Sequence, residues 1–419
     1  MMFDPERARH GDLRGGMPPW GDYPQLLVRP EVERDFRCEV LVVGAGITGS
    51  LAAEHLISEG HNVCVIDRQR PGLGSTAAST AMLLWEIDRS LNDLTNIYGF
   101  ERAATIYRRS LAATNGLVEM VKARGLPCDL RQRHSLYLAG NEIGERELLA
   151  EHNLRKRAGL PGDFLDHRAL GQAFDVFREA AIVSPNSADA NPLLLSKALL
   201  AAAIQKGAVL FDAEALSYEN SGNAVVVGLD DGHVIEASHV VLATGYVMPD
   251  FVASDLHKVA SSWAIATSPQ PPGAIWHDEA LIWEASENYS YARSTVDDRI
   301  VMGGEDDDKI IEQDARDALM PAKAEAIRAK LHALWPKAIN VADFVWSGAF
   351  GTTSDGLPLI GRVPGHPRIY AAYGYGGNGI TFSYMASRIV AALIAGNSQS
   401  WFDDFAIDRD APKFVIQES

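Results

Sequence analysis

The chain has 419 residues, enough for two or more domains and a large core. Its composition, 47% apolar and 22% charged, is the one expected of a globular protein in water. A formal net charge of −17 argues against nucleic acid and anionic membrane surfaces as partners.

Residues 1–36 are rich in Pro and Gly, with charges where a leader peptide would need an apolar run. They read as an N-terminal extension, and the expected location is cytoplasmic. No apolar run approaches the roughly 18 residues of a membrane span. Cys38, Cys64 and Cys128 lack metal-binding spacing and read as thiols in a reducing compartment. Twelve histidines show no HExxH-like pattern, so no metal is predicted.

Residues 37–68 read strand, glycine turn, helix, strand. The turn is "VVGAGITGS", with Gly44 for the tight bend, Gly46 for backbone approach to a pyrophosphate and Gly49 for helix-on-strand packing. The helix start then offers N–H groups and a partial positive charge to phosphate. Asp67 ends the next strand 21 residues after Gly46, where an acid that holds a ribose hydroxyl is expected. This much fits NAD as well as FAD.

The second strand leads at once into "GLGSTAASTAMLLW", whose small hydroxyl residues let backbone pass close to a polar ligand. Residues 86–180 read as mainly helical. Glu86 and Asp88 in that stretch read as the start of a helix, with attraction of a cationic amine as the alternative. Residues 192–206 form an Ala/Leu-rich helix with Pro192 in its first turn. Short strands follow, ending in "HVVLATGY" at a small-residue turn. Residues 260–310 read mostly as strands and 317–334 as a charged helix. Trp85, Trp263 and Trp283 read as core residues. "YGYGGNGITFS" is a second glycine turn, and it opens a final helix from about Ile380 to Ala395, stopped by Gly396.

These motifs, in this order from about Cys38 to Gly396, resemble the FAD-dependent amine and amino-acid oxidoreductases, the family of D-amino-acid oxidase, glycine oxidase and sarcosine oxidase. The "GSTAAST" wording is also similar to flavin-linked glycerol-3-phosphate dehydrogenases. The resemblance implies an α/β protein: a discontinuous Rossmann-like FAD-binding domain and a second α+β substrate domain built on an antiparallel sheet. The implied boundaries are 37–85, 150–250 and 345–396 for the FAD domain, 86–149 and 251–344 for the substrate domain, and 397–419 for a C-terminal tail. The residues it places around FAD are Gly44, Gly46, Ile47, Thr48, Gly49, Asp67 and Arg68, then Gly74, Ser75, Thr76, Ala81 and Met82. Ala215, Thr244 and Gly245 follow, with Gly376, Gly377, Asn378, Gly379, Ile380 and Thr381 at the last helix. That helix start would face the flavin where negative charge develops on reduction.

The implied reaction is oxidation of the C–N bond of an amine or amino acid by hydride transfer to flavin N5, with hydrolysis of the imine. A flavin-linked dehydrogenase of a hydroxy acid or polyol phosphate is one alternative, with Arg293, Arg299 and Arg362 as its basic candidates. A non-catalytic flavin-binding subunit is the other. The hairpin "ENYSYARSTVDDRIVMGGEDDD" would roof the substrate pocket. Alternation puts Tyr289, Tyr291 and Arg293 on one face of it.

The chain departs from the family at the positions that hold substrate carboxylates. Phe350 stands where glycine oxidase has an arginine, and Ala81 and Thr381 stand at two basic positions of sarcosine oxidase. Gly348 replaces the cysteine that carries flavin, so FAD is expected to be noncovalent. Val301 replaces the lysine that assists oxygen use, which favours a dehydrogenase over an oxidase. The electron acceptor is not legible. Two outcomes follow for the substrate: an amine without an α-carboxylate packed on Phe350, or an amino acid held by a relocated arginine. The sequence favours the second, with Arg293 in that role.

Overall fold

The computed structural model describes residues 14–20, 27–309 and 312–410. The outermost parts of the expected extension and tail lie outside the described residues. The run after Asp35 forms the strand Phe36–Val43, in the middle of an eight-stranded sheet. Val40, Leu41, Val42 and Val43 are buried in the cores on both faces, as a central parallel strand requires. Val63–Asp67 and then Val209–Asp212 lie parallel on one side of it. Val234–Leu242 and His366–Tyr373 lie parallel on the other, and Leu359–Val363 makes the antiparallel edge. A meander, Ala215–Ser221 with Ala224–Leu229, hangs from Val234–Leu242. The helices Ile47–Ser58, Pro192–Gln205 and Gly379–Ile394 pack on one another over this sheet. Pro192 occupies the first turn of its helix, and Gly396 takes φ +76° just beyond the last one.

The second sheet has ten strands. Its order is Arg14–Gly16, Ala342–Thr353, His257–Thr267, Ile300–Asp307, Ser290–Ser294, Leu281–Glu284, Arg131–Leu138, Ala180–Asp189, Met82–Leu83, with Asp163–Asp166 also on Ala180–Asp189. Every pairing among the described residues is antiparallel except Leu281–Glu284 on Arg131–Leu138. The helix Gln313–Leu334 covers one face, with Ile327 and Leu331 packed among Trp263, Ile265 and Met302.

The strand pairing redraws the expected boundaries. Asp163–Asp166 and Ala180–Asp189 fall within 150–250, and Ala342–Thr353 opens 345–396, yet all three belong to the second sheet. Burial alternates along much of Ala342–Thr353, the pattern of an antiparallel strand rather than of a central parallel one. Conversely, Ala103, Ile106 and Tyr107 of the Phe100–Arg124 helix, inside 86–149, sit in the core under the first sheet. The stretch 86–180 is also less helical than expected, since Arg131–Leu138 and Asp163–Asp166 interrupt it.

The first and last described segments are built into the fold. Arg14–Gly16 extends the second sheet, and Trp20 is buried against Ala77 and Trp346. Near the other end Phe402 and Phe405 enter the first core. Arg409 clasps the fully buried Asp355 through two hydrogen bonds of 2.8 and 2.9 Å, and Tyr98 Oη donates to the same carboxylate at 2.6 Å. These contacts hold the Asp355 carboxyl below its ordinary range against the penalty of burial. A group with a lowered folded pKa stabilises above its unfolded value, here about 4, and loses that contribution as pH falls through the folded value. Asp355→Asn should leave Arg409 without its charge partner and cost about 3–5 kcal/mol, read from denaturant midpoints at neutral pH. A change below about 1 kcal/mol would show that the clasp does not anchor the tail.

Candidate active site

The first glycine turn is built by close backbone approach. Gly44 has φ +102°, and a Cβ there would lie 2.4 Å from the Ala243 carbonyl oxygen. A Cβ on Gly49 would lie 1.8 Å from the Gly44 carbonyl oxygen, so Gly49 has no room for a side chain. The helix Ile47–Ser58 starts at Gly46 with no side-chain cap, and its first turn borders a cavity of about 600 Å³. Asp67 accepts from Ala45 N–H at 2.7 Å and from Gln69 N–H at 2.8 Å. Burial raises its carboxyl above the ordinary value, while those N–H groups, Arg29 and Arg68 pull it back.

The segment after the second strand is held from behind. The carbonyls of Ala78, Ser79 and Thr80 each accept a side-chain donor from elsewhere: Trp346 Nε1 at 2.9 Å, Trp20 Nε1 at 3.0 Å and Arg293 Nε at 2.5 Å. With these carbonyls engaged, the segment keeps Gly74, Ser75, Thr76 and Met82 on the cavity wall. Thr76 Oγ1 accepts from Ile47 N–H at 2.9 Å, while Ser75 Oγ is buried with no partner. An unpaired buried hydroxyl beside a glycine turn and a helix whose N-cap, Gly46, has no side chain to offer suits the oxygen-rich backbone of a dinucleotide.

The last helix is stitched to residues 84–88. Asn378 Nδ2 donates to the Glu86 and Leu84 carbonyls at 2.8 and 3.2 Å, and Thr381 Oγ1 donates to Leu84 at 2.9 Å. These bonds bring Asp88 onto the second glycine turn, where its Oδ2 accepts from Gly377 N–H at 2.7 Å. Gly376 has φ +58°, and a Cβ there would lie 2.2 Å from Asp88 Oδ2. Asp88 is exposed at the cavity, and desolvation by the surrounding wall raises its carboxyl to about 6.

The hairpin forms the roof. Tyr289, Tyr291, Trp283 and Phe350 line the same cavity, with Tyr246 nearby in the wall. Tyr291 packs over Gly303, where a Cβ would lie 2.4 Å from its ring. The rings of Tyr289 and Tyr291 are 6.0 Å apart, and Tyr289 Oη donates to Asp306 Oδ2 behind it.

Most of the expected cofactor residues border the cavity. They are Gly44, Gly46, Ile47, Thr48, Asp67, Arg68, Gly74, Ser75, Thr76, Met82, Ala215, Thr244, Gly245, Gly376, Gly377, Asn378, Gly379 and Ile380. Gly49 instead packs helix on strand, Ala81 is buried in a core with Leu51 and Leu117, and the Thr381 hydroxyl turns to Leu84. Two N–H groups expected to face the cofactor are engaged within the protein: Gly377 with Asp88 and Asn378 with the Tyr375 carbonyl.

Arg293 is not a pocket residue. It is 2% exposed, and Nη1 and Nη2 donate to the Ser294 and Ala190 carbonyls at 3.2 and 2.9 Å. Asp189 lies 3.7 Å away and Trp20 stacks on its guanidinium. The hairpin face that carries Tyr291 continues past the cavity edge, where backbone carbonyls rather than a ligand meet the next side chain. The reading of Asp88 as a helix start also gives way, since the helix begins at Leu91 and is capped by Ser90. Trp283 and Trp263 border the cavity, although Trp85 and Trp263 are core residues as expected. The position of Asp88 just after the "GSTAAST" segment was the available signal.

A profile of the family described as "FAD dependent oxidoreductase" matches residues 39–393, and the chain belongs to that family. It is therefore an FAD-dependent oxidoreductase. It is 26% identical to gamma-glutamylputrescine oxidoreductase of Escherichia coli strain K12 over 88% of this chain and 86% of that protein. It is 24% identical to glycine oxidase of Bacillus subtilis strain 168 over 88% and 97%. The fold is shared with the crystal structure of glycine oxidase from Geobacillus kaustophilus, at a TM-score of 0.75 and 19% identity over 90% of this chain and 100% of that one.

Two variants check this site. Gly46→Val adds bulk at the glycine turn and should yield folded protein that has lost FAD, seen as loss of the flavin absorbance with an unchanged circular dichroism spectrum. Full retention of FAD would place the phosphates elsewhere. Arg293→Ala strips donors from the carbonyls of Thr80, Ala190 and Ser294 and should lower stability by about 3–5 kcal/mol in a denaturant titration. A variant of unchanged stability that loses only affinity for acids would return Arg293 to the pocket.

Proposed function

We propose that this oxidoreductase breaks the C–N bond of an amine or amino acid at the aromatic end of the cavity. The observation that carries the reading is one continuous cavity. It runs from the glycine turn at Gly44–Gly46 to the roof formed by Tyr289 and Tyr291. FAD, when bound, supplies the two-electron acceptor for the substrate carbon. We assign the nucleotide half to Gly46, Asp67, Ser75 and Thr76, and the ring system to the span between Met82 and the Gly379–Ile380 turn. The helix Gly379–Ile394 presents its positive end to that span.

The chain's own residues then orient the substrate and limit water. Tyr291, Phe350 and Trp283 offer apolar surface that packs on the substrate and limits water at the reacting carbon. Loss of a proton from nitrogen and of two electrons and a proton from carbon leaves an imine, which water hydrolyses. Three relatives point the same way through their names: gamma-glutamylputrescine oxidoreductase, glycine oxidase and, among solved structures, L-proline dehydrogenase of P. horikoshii.

The phosphate-ester alternative finds no support, because its basic candidates are occupied elsewhere. Arg299 pairs with Asp297 and Asp343, Arg362 lies over Tyr370 on the surface, and Arg293 is buried on carbonyls. Gly348 stands in the cavity wall and none of Cys38, Cys64 or Cys128 does, which supports noncovalent FAD. Val301 is buried against Trp346 and Ala264, and among the described residues no lysine lines the cavity, which supports a preference for an acceptor other than oxygen. No described helix is long and apolar enough to cross a membrane.

Anaerobic mixing with panels of amines, amino acids and hydroxy acids should bleach the flavin with the nitrogen compounds and release one ammonia and one carbonyl per flavin for a primary amine. Bleaching by hydroxy acids alone would replace this reading. The reduced enzyme should reoxidise slowly in air and faster with a quinone, followed by stopped-flow absorbance. Reoxidation by oxygen as fast as by the quinone would make it an oxidase.

A further inference from the structure

We propose that the substrate half of the cavity is a cation site. It takes an amine whose charged nitrogen meets the Asp88 carboxylate and the rings of Tyr289, Tyr291 and Phe350, on a substrate with no carboxylate beside that nitrogen. This deepens the C–N reading above and rests on it.

Charge is divided along the cavity. The arginines on its wall, Arg68 and Arg70, follow the second parallel strand at the nucleotide end, beside Asp67 and Glu214. Among the described residues lining the roof and the second glycine turn, Asp88 is the charged one and no Lys, Arg or His is present. The Asp88 carboxylate is exposed at the cavity, its hydrogen-bond donor is Gly377 N–H, and no lysine or arginine of this wall pairs with it. Arg293 cannot supply that cation, since its donors are spent on backbone carbonyls.

Tyr289 adds a second, independent argument. Its single hydroxyl proton is given to Asp306, so towards the cavity the phenol oxygen can only accept. A cation is attracted by the lone pairs of such an oxygen, whereas a carboxylate, itself an acceptor, is repelled by them. Donation to Asp306 also enriches the ring, which favours a cation near its face. The loop geometry keeps the carboxylate in place: Gly376 is the residue that makes room for Asp88 Oδ2, and Gly377 N–H holds it.

Spectral titration of the FAD-loaded enzyme tests this without turnover. The probes are butyltrimethylammonium, which has no titratable proton and no oxidisable N–H, and valerate as an anion of similar length. Butyltrimethylammonium should perturb the flavin spectrum saturably and bind at least about 30-fold more tightly than valerate. Asp88→Asn keeps an acceptor for Gly377 N–H and should weaken ammonium binding about 30-fold or more, with partial recovery in Asp88→Glu. Phe350→Arg should reverse the preference towards valerate, so the inference stays testable if changes at Asp88 disturb the loop.

Asp88 is ionised above about pH 6, so ammonium binding should weaken as pH falls through that value, and Asp88→Asn should lose this dependence. The groups that face Asp88 are Arg89, Asp306, Tyr246, Tyr289 and Tyr291. Valerate binding as tight as ammonium, no ammonium binding, or an Asp88→Asn variant with unchanged affinity and pH profile would each overturn the inference. Flavin bleaching is read separately. Retained ammonium preference with no amine able to bleach the flavin would remove the C–N reading and leave the cation site standing.

Discussion

The structure turns on one close approach of backbone to backbone. The Gly44 carbonyl lies where a side chain at Gly49 would have to be, and Ala243 crowds Gly44 from the next strand. Only this contact lets the helix Ile47–Ser58 rise directly from the end of the central strand, with its first turn open to the cavity. Two distant segments are then fastened to the same place. Thr76 Oγ1 accepts from Ile47 N–H, and Thr48 Oγ1 lies 2.8 Å from Ser383 Oγ in the last helix. Segments separated by as many as 335 positions thereby wall one cavity.

The two ends of that cavity solve opposite electrostatic problems. A dinucleotide brings negative charge into an acidic protein, and the end of the cavity that we assign to it carries the start of the helix Ile47–Ser58 with Arg68 and Arg70 on the wall. At the other end the second sheet offers mostly rings, and the segment before Leu91 adds the Asp88 carboxylate. The fold supplies the precision there as well. Asn378 and Thr381 donate to carbonyls of residues 84 and 86, which sets where Asp88 falls, and Gly303 gives Tyr291 its seat.

What could be read in the sequence divides along physical lines. The glycine turns, the "GSTAAST" segment and the helix 192–205 were legible because they are local constraints: φ above zero, small residues, a proline in a first turn. Tyr289, Tyr291 and Phe350 were found through resemblance and do line the cavity. Arg293 was misread because alternation reports which face a residue shares. It does not report which long-range carbonyls, at positions 80 and 190, wait beyond the cavity edge. Asp88 was undervalued because its place depends on side-chain bonds from residue 378, 290 positions away. The domain boundaries slipped where antiparallel strands such as Ala180–Asp189 and Ala342–Thr353 lie next to segments of the first layer in sequence but not in space.

The central claim is that the fold binds FAD opposite a pocket that prefers an ammonium without a neighbouring carboxylate. The most direct measurement is the anaerobic rate of flavin reduction by a matched pair, butylamine and its α-carboxy counterpart norvaline in both enantiomers. Second-order reduction by butylamine should be at least about 100-fold faster than by either enantiomer, since a carboxylate would meet Asp88 and the acceptor face of Tyr289 without a cation. Faster reduction by norvaline would contradict it and would require a carboxylate anchor that Phe350, Ala81, Thr381 and Arg293 do not provide.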